Sequence, residues 1–235
     1  MLLEVDQLTA GYGPITVLHR VSLGLSDREI VCIIGPNGAG KSTVLRAVSG
    51  QIAPEGGSVI FDGEDMTRDG LRKKAEKGLV FIPQGQNIFP NLTVLENLEI
   101  AGSILRDSEK LHPAITGALE KFPMIKEGRN RPARELSGGQ RQILALSRIF
   151  ILNPRLALLD EPSLGLAPLF VDVIFEEIGE MNRKGISFLL VEQNARKGLS
   201  VSHRGYVLEL GKNRLTGTGR ELLNNEDVQR LYLGG

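Results

Sequence analysis

The sequence predicts a doubly wound α/β core, and three observations carry that prediction. Four short apolar runs, at 30–35 (IVCIIG), 79–83 (LVFIP), 155–160 (RLALLD) and 187–192 (SFLLVE), are bounded by turn residues. Their near-continuous apolarity marks strands covered on both faces, as in a parallel sheet. Helical patterns over Ser42–Val48, Gln140–Ile151 and Leu169–Asn182 fall between them, the alternation of α/β folds.

Around this core the patterns change. The segment LEVDQLTAGYG…TVLHRVSLGL alternates polar and apolar residues and reads as an antiparallel hairpin; GSVIFDGED and RGYVLELGKNRL read similarly. Residues 85–152 are helix-rich and predict an inserted helical subdomain, leaving 1–84 and 153–235 as the core with its antiparallel β subdomain. With 235 residues, 41% of them hydrophobic, the chain can bury the core of one domain.

Composition narrows the function classes. Lys+Arg and Asp+Glu are 28 each, so the basic excess usual in nucleic-acid binders is missing, although folding can still gather a basic patch. Cys32 is the only cysteine and sits in an apolar run, where a buried core thiol is expected; no disulfide framework is possible, which suits a reducing compartment. The first residues carry acids early and lack the layout of a secretory signal. The apolar runs fall far short of the roughly 18 residues that span a bilayer, so a soluble protein is expected, with any membrane role exercised through a partner.

Two motifs carry the chemistry. GPNGAGKST, comprising Gly35, Pro36, Asn37, Gly38, Ala39, Gly40, Lys41, Ser42 and Thr43, fits the phosphate-loop pattern between a strand and a helix. Glycines let backbone N–H groups turn inward as an anion nest, and the helix N-terminus adds partial positive charge. Lys41 can reach β- and γ-phosphates, and the Ser42 hydroxyl suits Mg²⁺. LALLDEP then delivers Asp160 and Glu161 at the carboxyl end of a strand. Adjacent acids there can be no more than a solvated turn; behind a phosphate loop, Asp160 is a candidate Mg²⁺ ligand and Glu161 a candidate general base.

LSGGQRQ, 136–142, opens a helix with Ser137 as a plausible N-cap, and Gly138 and Gly139 allow close approach of an anion. It stands 96 residues after Lys41 and 23 before Asp160. This set in this order resembles the ATP-binding cassette family over nearly the whole chain. The resemblance implies a phosphate-loop, RecA-like ATPase core with an N-terminal antiparallel β subdomain and an inserted helical subdomain. It further implies ATP and Mg²⁺ as ligands, with Tyr12 against adenine and Ser42, Gln84 and Asp160 at the metal. Catalysis would fall to Glu161, Gln84 and Gln193. The implied head-to-tail dimer places Ser137, Gly138, Gly139 and Gln140 of one chain on the ATP of the other, with SLGLAP, 163–168, against the partner. As bare sequence features, Tyr12 fits equally as a residue packed on the sheet and Gln84 as a polar loop residue.

EPSLGLAPLFV, LLVEQNARKGL and VQRLYLGG together resemble the smaller ATPase subunit of branched-chain amino acid importers. That implies a peripheral subunit on the cytoplasmic face of the membrane, paired with itself or a second cassette and bound to two permease subunits, with an external binding protein delivering substrate. PQGQNIFPNLTVLENL is also similar to importers of urea and short amides. Lipopolysaccharide exporter ATPases share the Tyr-Leu-Gly tail but keep a histidine where this chain has Gln193; soluble cassette ATPases of the assembly type match in length. Few residues follow GKNRLTGTG, so no added regulatory module is expected. Ile88, Phe89 and Leu92 fit either a groove for a permease helix or local packing of the subdomain.

Gln193 stands after an apolar strand and 18 residues before Gly211, the family's spacing for its switch histidine, so it is a substitution rather than a shift of register. His203 is expected at a helix end or on the surface; His19 and His112 fall outside every motif. Glutamine keeps an N–H donor for a γ-phosphate and loses the ability to titrate near neutral pH. Base catalysis then rests on Glu161.

Overall fold

Strand β1 (Leu3–Tyr12) opens the chain in the computed structural model, which describes residues 1–85, 88–103 and 108–233. It pairs antiparallel with β2 (Ile15–Leu25), Leu3 opposite Leu25, as the alternating pattern predicts. β3 (Ile30–Ile34) leads into α1 (Lys41–Ser49). β4 (Gly56–Phe61) returns to pair with β1, and β5 (Glu64–Asp65) closes a four-stranded antiparallel sheet ordered β2-β1-β4-β5.

After α2 (Leu71–Glu76), β6 (Leu79–Ile82) enters a second sheet, and the chain becomes helical: α3 (Val94–Gly102), α4 (Ser108–Lys121), α5 (Pro123–Lys126) and α6 (Gly138–Leu152). Capping boxes start α3 at Thr93–Glu96 and α6 at Ser137–Gln140, each satisfying two backbone donors. β7 (Leu156–Asp160), α7 (Pro168–Arg183), β8 (Ser187–Val191) and α8 (Ala195–Val201) complete the α/β alternation. β9 (Arg204–Glu209), β10 (Lys212–Thr218), α9 (Gly219–Leu223) and α10 (Glu226–Tyr232) end it.

The second sheet is ordered β10-β9-β3-β8-β7-β6, and every pairing in it is parallel except β9 with β10. The expected parallel core therefore carries one antiparallel edge strand. Its cause is the tight turn at Leu210–Gly211, too short for the crossover that a parallel neighbour needs. The mostly polar, solvent-facing KNRLTGT is a suitable edge.

Burial explains why the central strands read as continuous apolar runs. Val31 and Ile33 point into one core with Val44 and Leu45 of α1 and Leu3, Val5 and Phe61 of the antiparallel sheet. Cys32 and Ile34 point into the other with Ile143 and Leu146 of α6 and Ile174 and Phe175 of α7. β7 and β8 divide in the same way, so both parities must be apolar. Cys32 is fully buried and burial pushes its thiol far above the ordinary range, the inert core cysteine expected. His203 lies exposed beyond α8, its Nδ1 accepting from Ile30 N–H at 3.0 Å.

The β9–β10 turn does more than reverse the chain. Gly211 N–H donates to Ala39 O at 3.0 Å, and Gly211 O accepts from His19 N–H at 2.8 Å, so the turn braces the loop between β3 and α1 against β2. Gly211 has φ +72°, and a Cβ there would lie 1.9 Å from Val17 O. Gly211→Ala is therefore expected to destabilise the fold by about 2 kcal/mol or more, from strain and backbone clash together. The midpoint of urea unfolding checks it; an unchanged midpoint would mean the turn is not seated against β2.

Candidate functional site

The loop leaving β3 is shaped by glycines. Gly35, Gly38 and Gly40 have φ of +151°, +80° and +97°. A Cβ on Gly35 would stand 2.1 Å from Leu208 O, and one on Gly40 2.8 Å from Leu18 Cδ2, so side chains are shut out by the β9 backbone and by β2. Gly40 is also the N-cap of α1 and offers no side-chain acceptor, leaving the first N–H groups of the helix for an external anion. Lys41 is almost buried, and its Nζ donates to Gly35 O at 2.9 Å and Pro36 O at 3.1 Å. Burial pulls its pKa down, while Glu161 and Asp160 oppose that shift.

Ser42 Oγ–H donates to Asp160 Oδ1 at 2.8 Å, joining α1 to the end of β7. Asp160 is 2% exposed, and its Oδ2 is a buried acceptor with no hydrogen-bond partner among the described residues. Burial raises its pKa, partly offset by the Ser42 bond. Two hard oxygen donors with one acceptor unsatisfied match what Mg²⁺ requires.

Glu161 follows at φ +49°, its backbone N–H tied to Val191 O at 2.8 Å. A non-glycine residue in that region is strained. Gln84 Nε2 donates to Glu161 Oε2 at 2.7 Å. Burial raises the Glu161 pKa, with Asp160 adding to it and Lys41 opposing.

A cleft of about 610 Å³ is lined by Tyr12, Asn37, Gly38, Gly40, Lys41, Ser42, Thr43, Gln84, Glu161 and Gln193; Asp160 does not line it and is joined to it through Ser42. Tyr12 stands at its edge, 41% exposed, its hydroxyl accepting from Arg46 at 3.1 Å. Gly35, Pro36 and Ala39 shape the loop without lining the cleft. Ser137, Gly139 and Gln140 do not line it either. Gly138 lies instead in a neighbouring hollow with Glu161, Leu164 and Ile88. Ser137 and Gln140 are occupied in capping α6.

The apolar trio at 88–92 divides. Ile88 is buried in the core and supports local packing, whereas Phe89 is 53% exposed. Asn97 holds their loop through Phe89 N–H, Phe89 O and Leu92 O. Gln86 and Asn87 of this segment, and Gly234 and Gly235 of the tail, lie outside the described residues.

One site residue was not singled out from sequence. Glu192, 1% exposed, accepts from Ser163 N–H at 3.1 Å, Ser163 Oγ–H at 2.9 Å and Asn194 N–H at 3.3 Å. An acid closing an otherwise apolar run was the available signal. Burial pushes its carboxyl up to about 7 against those three hydrogen bonds.

The family described as ABC transporter matches residues 18–164. BraG of Pseudomonas aeruginosa, a high-affinity branched-chain amino acid transport ATP-binding protein, is 41% identical over 100% of both chains. LivF of Archaeoglobus fulgidus, a probable branched-chain amino acid transport ATP-binding protein, is 35% identical over 99% of both. LptB of Haemophilus influenzae, of a lipopolysaccharide export system, is 34% identical over 99% of this chain and 97% of its own. Among solved structures, MJ1267, an ABC transporter cassette in its ADP conformation, superposes with a TM-score of 0.87 at 28% identity, covering 100% of this chain and 99% of that one. The cassette MJ0796, dimeric and bound to ADP and Pi, gives 0.81 at 25% identity, covering 95% and 99%. The chain belongs to the ABC transporter family of ATP-binding cassettes.

Glu192 yields a pH prediction. Its carboxyl binds a proton more tightly folded than unfolded, so its contribution to stability is present below the ordinary 4.5 and lost as pH rises through about 7. Glu192→Gln removes that titration and is expected to stabilise the chain by up to about 3 kcal/mol at pH 8, with the gain gone at pH 4. Thermal unfolding of both proteins across that range checks it; a gain independent of pH would show that the carboxylate is not desolvated.

Proposed function

We propose that the chain is the ATP-hydrolysing subunit of a branched-chain amino acid importer, working on the cytoplasmic face of a membrane through separate permease subunits. The observation that carries the enzymatic part is the convergence of Lys41, Ser42, Gln84, Glu161 and Gln193 on one cleft beneath a glycine-shaped loop. The substrate class is carried by the full-length similarity to BraG and LivF. The departure of Gln193 from the histidine of the exporter branch supports import over lipopolysaccharide export.

The residues divide the work. N–H groups of the Gly35–Thr43 loop and Lys41 hold the phosphates, and Tyr12 stacks on adenine. Ser42, Asp160 and Gln84 would hold Mg²⁺, which supplies charge neutralisation at the β- and γ-phosphates. Glu161, held by Gln84, takes a proton from the attacking water; its raised pKa brings it nearer the operating pH. The water oxygen bonds to the γ-phosphorus, the bond to the bridging oxygen breaks, and ADP and phosphate leave. Gln193 donates its amide N–H to the γ-phosphate and reports its presence. Residues 85–152 act as a helical subdomain that presents Ser137, Gly138, Gly139 and Gln140 to the nucleotide of a second cassette. That arrangement suits their placement off this chain's own cleft. ATP then holds two chains together and hydrolysis releases them.

Co-expression with the neighbouring permease genes should give uptake of labelled leucine rather than labelled urea; uptake of neither, with ATPase activity intact, rejects the importer reading. Glu161→Gln is expected to keep ATP affinity, lose about 100-fold or more in turnover and accumulate an ATP-bound dimer visible by light scattering. Gln193→Ala should lower the turnover number more than the affinity, and equal losses would contradict the sensing role.

A further inference from the structure

We propose that Glu192 is a positioning residue that latches the partner-facing turn at Ser163–Leu166 to the Gln193 segment, so that the two move as one unit. The inference rests on the ATP-hydrolysis reading above and adds a residue and a linkage to it.

The latch joins two segments whose neighbours both face the cleft. Gln193 follows Glu192 in the chain and lines the cleft; Leu164 follows Ser163 and lines both the cleft and the adjoining hollow, 49% exposed. Between them the contact is buried and directional. Ser163, 7% exposed, gives both its N–H and its hydroxyl to the two carboxylate oxygens of Glu192. Asn194 N–H adds a third bond, to the oxygen that the Ser163 hydroxyl also engages, and Asn194 in turn caps α8 through Lys197 N–H at 3.1 Å. The turn is held within itself by Leu164 N–H to Glu161 O and Leu166 N–H to Ser163 O. A displacement of Gln193 is thus handed through one carboxylate to a turn that begins at Glu161.

The chemistry argues for a role beyond packing. A buried carboxylate is expensive to desolvate, and an apolar pair of similar volume would serve stability better. An apolar contact can slide, whereas a carboxylate gripping an N–H and an O–H of one residue fixes both distance and orientation.

The test uses the full chain with Ser163→Ala, Glu192→Ala, Glu192→Gln and the double variant Ser163→Ala/Glu192→Ala. Ser163→Ala is expected to lower kcat for ATP about tenfold with KM changed less than about twofold. Glu192→Gln, which keeps an acceptor for Ser163 N–H, should retain more of the rate than Glu192→Ala. The double variant should be no slower than Glu192→Ala to within about twofold, since the second removal finds the contact already gone. Multiplying losses, or a parallel loss of affinity and rate, would overturn the latch. Amide hydrogen exchange on the nucleotide-free chain reads the linkage without activity: Ser163→Ala should raise exchange at 193–197 as well as at 163–166. Exchange raised only at 163–166 overturns the proposal even if rates fall. A wild-type chain without ATPase activity would reject the function proposed above, while the exchange measurement would still decide the latch, and Ser163→Ala decides it if Glu192→Ala does not fold.

Discussion

The hydrogen bond from Ser42 Oγ to Asp160 Oδ1, 2.8 Å long across 118 residues of sequence, is the constraint on which the rest of the site depends. It fastens the first turn of α1 to the carboxyl end of β7, and so fixes the phosphate loop relative to the acids. Asp160 Oδ2 is buried and finds no hydrogen-bond partner among the described residues, which is costly unless a cation completes it. The site is built at the cost of local stability: a buried Asp160, a strained Glu161 and a desolvated Glu192 lie at the carboxyl ends of the neighbouring strands β7 and β8. The two apolar cores on either face of the sheet supply the stability that tolerates them.

Around that bond, distant segments act as braces. The β9–β10 turn supports the loop from behind through Gly211 and Ala39, and the Leu208 carbonyl leaves room only for glycine at position 35. Gln84 fixes Glu161 from the β6 side, and Val191 fixes its backbone from the β8 side. The electrostatics follow: Lys41 opposes the burial of both acids, and each acid opposes the burial of Lys41.

Much of this was legible in the sequence, for physical reasons. IVCII and LALLD read as parallel strands because both of their parities are buried, and GPNGAGKST reads as an anion cradle because three of its glycines need positive φ. Capping chemistry marked the start of α6 at Ser137. What could not be read are contacts between segments far apart in the chain, which carry no period. The antiparallel β10 edge, the Gly211 brace and the Arg46 bond to Tyr12 are of this kind. So is the pairing of Glu192 with Ser163, whose two ends stood in plain view in VEQN and PSLG without a rule to join them. Gln193 lines the cleft, as its register predicts.

The central claim is that Ser42 and Asp160 form the metal side of an ATP site. Calorimetric titration of ATP into wild type and Asp160→Asn, with Mg²⁺ and again with a chelator, tests it most directly. The variant keeps an acceptor for Ser42, while removing the charge and turning the second carboxylate oxygen into an N–H donor. With Mg²⁺ its affinity should fall by about tenfold or more, and with the chelator it should match or exceed wild type, since one negative charge near the phosphates has gone. An equal loss in both conditions would contradict the account.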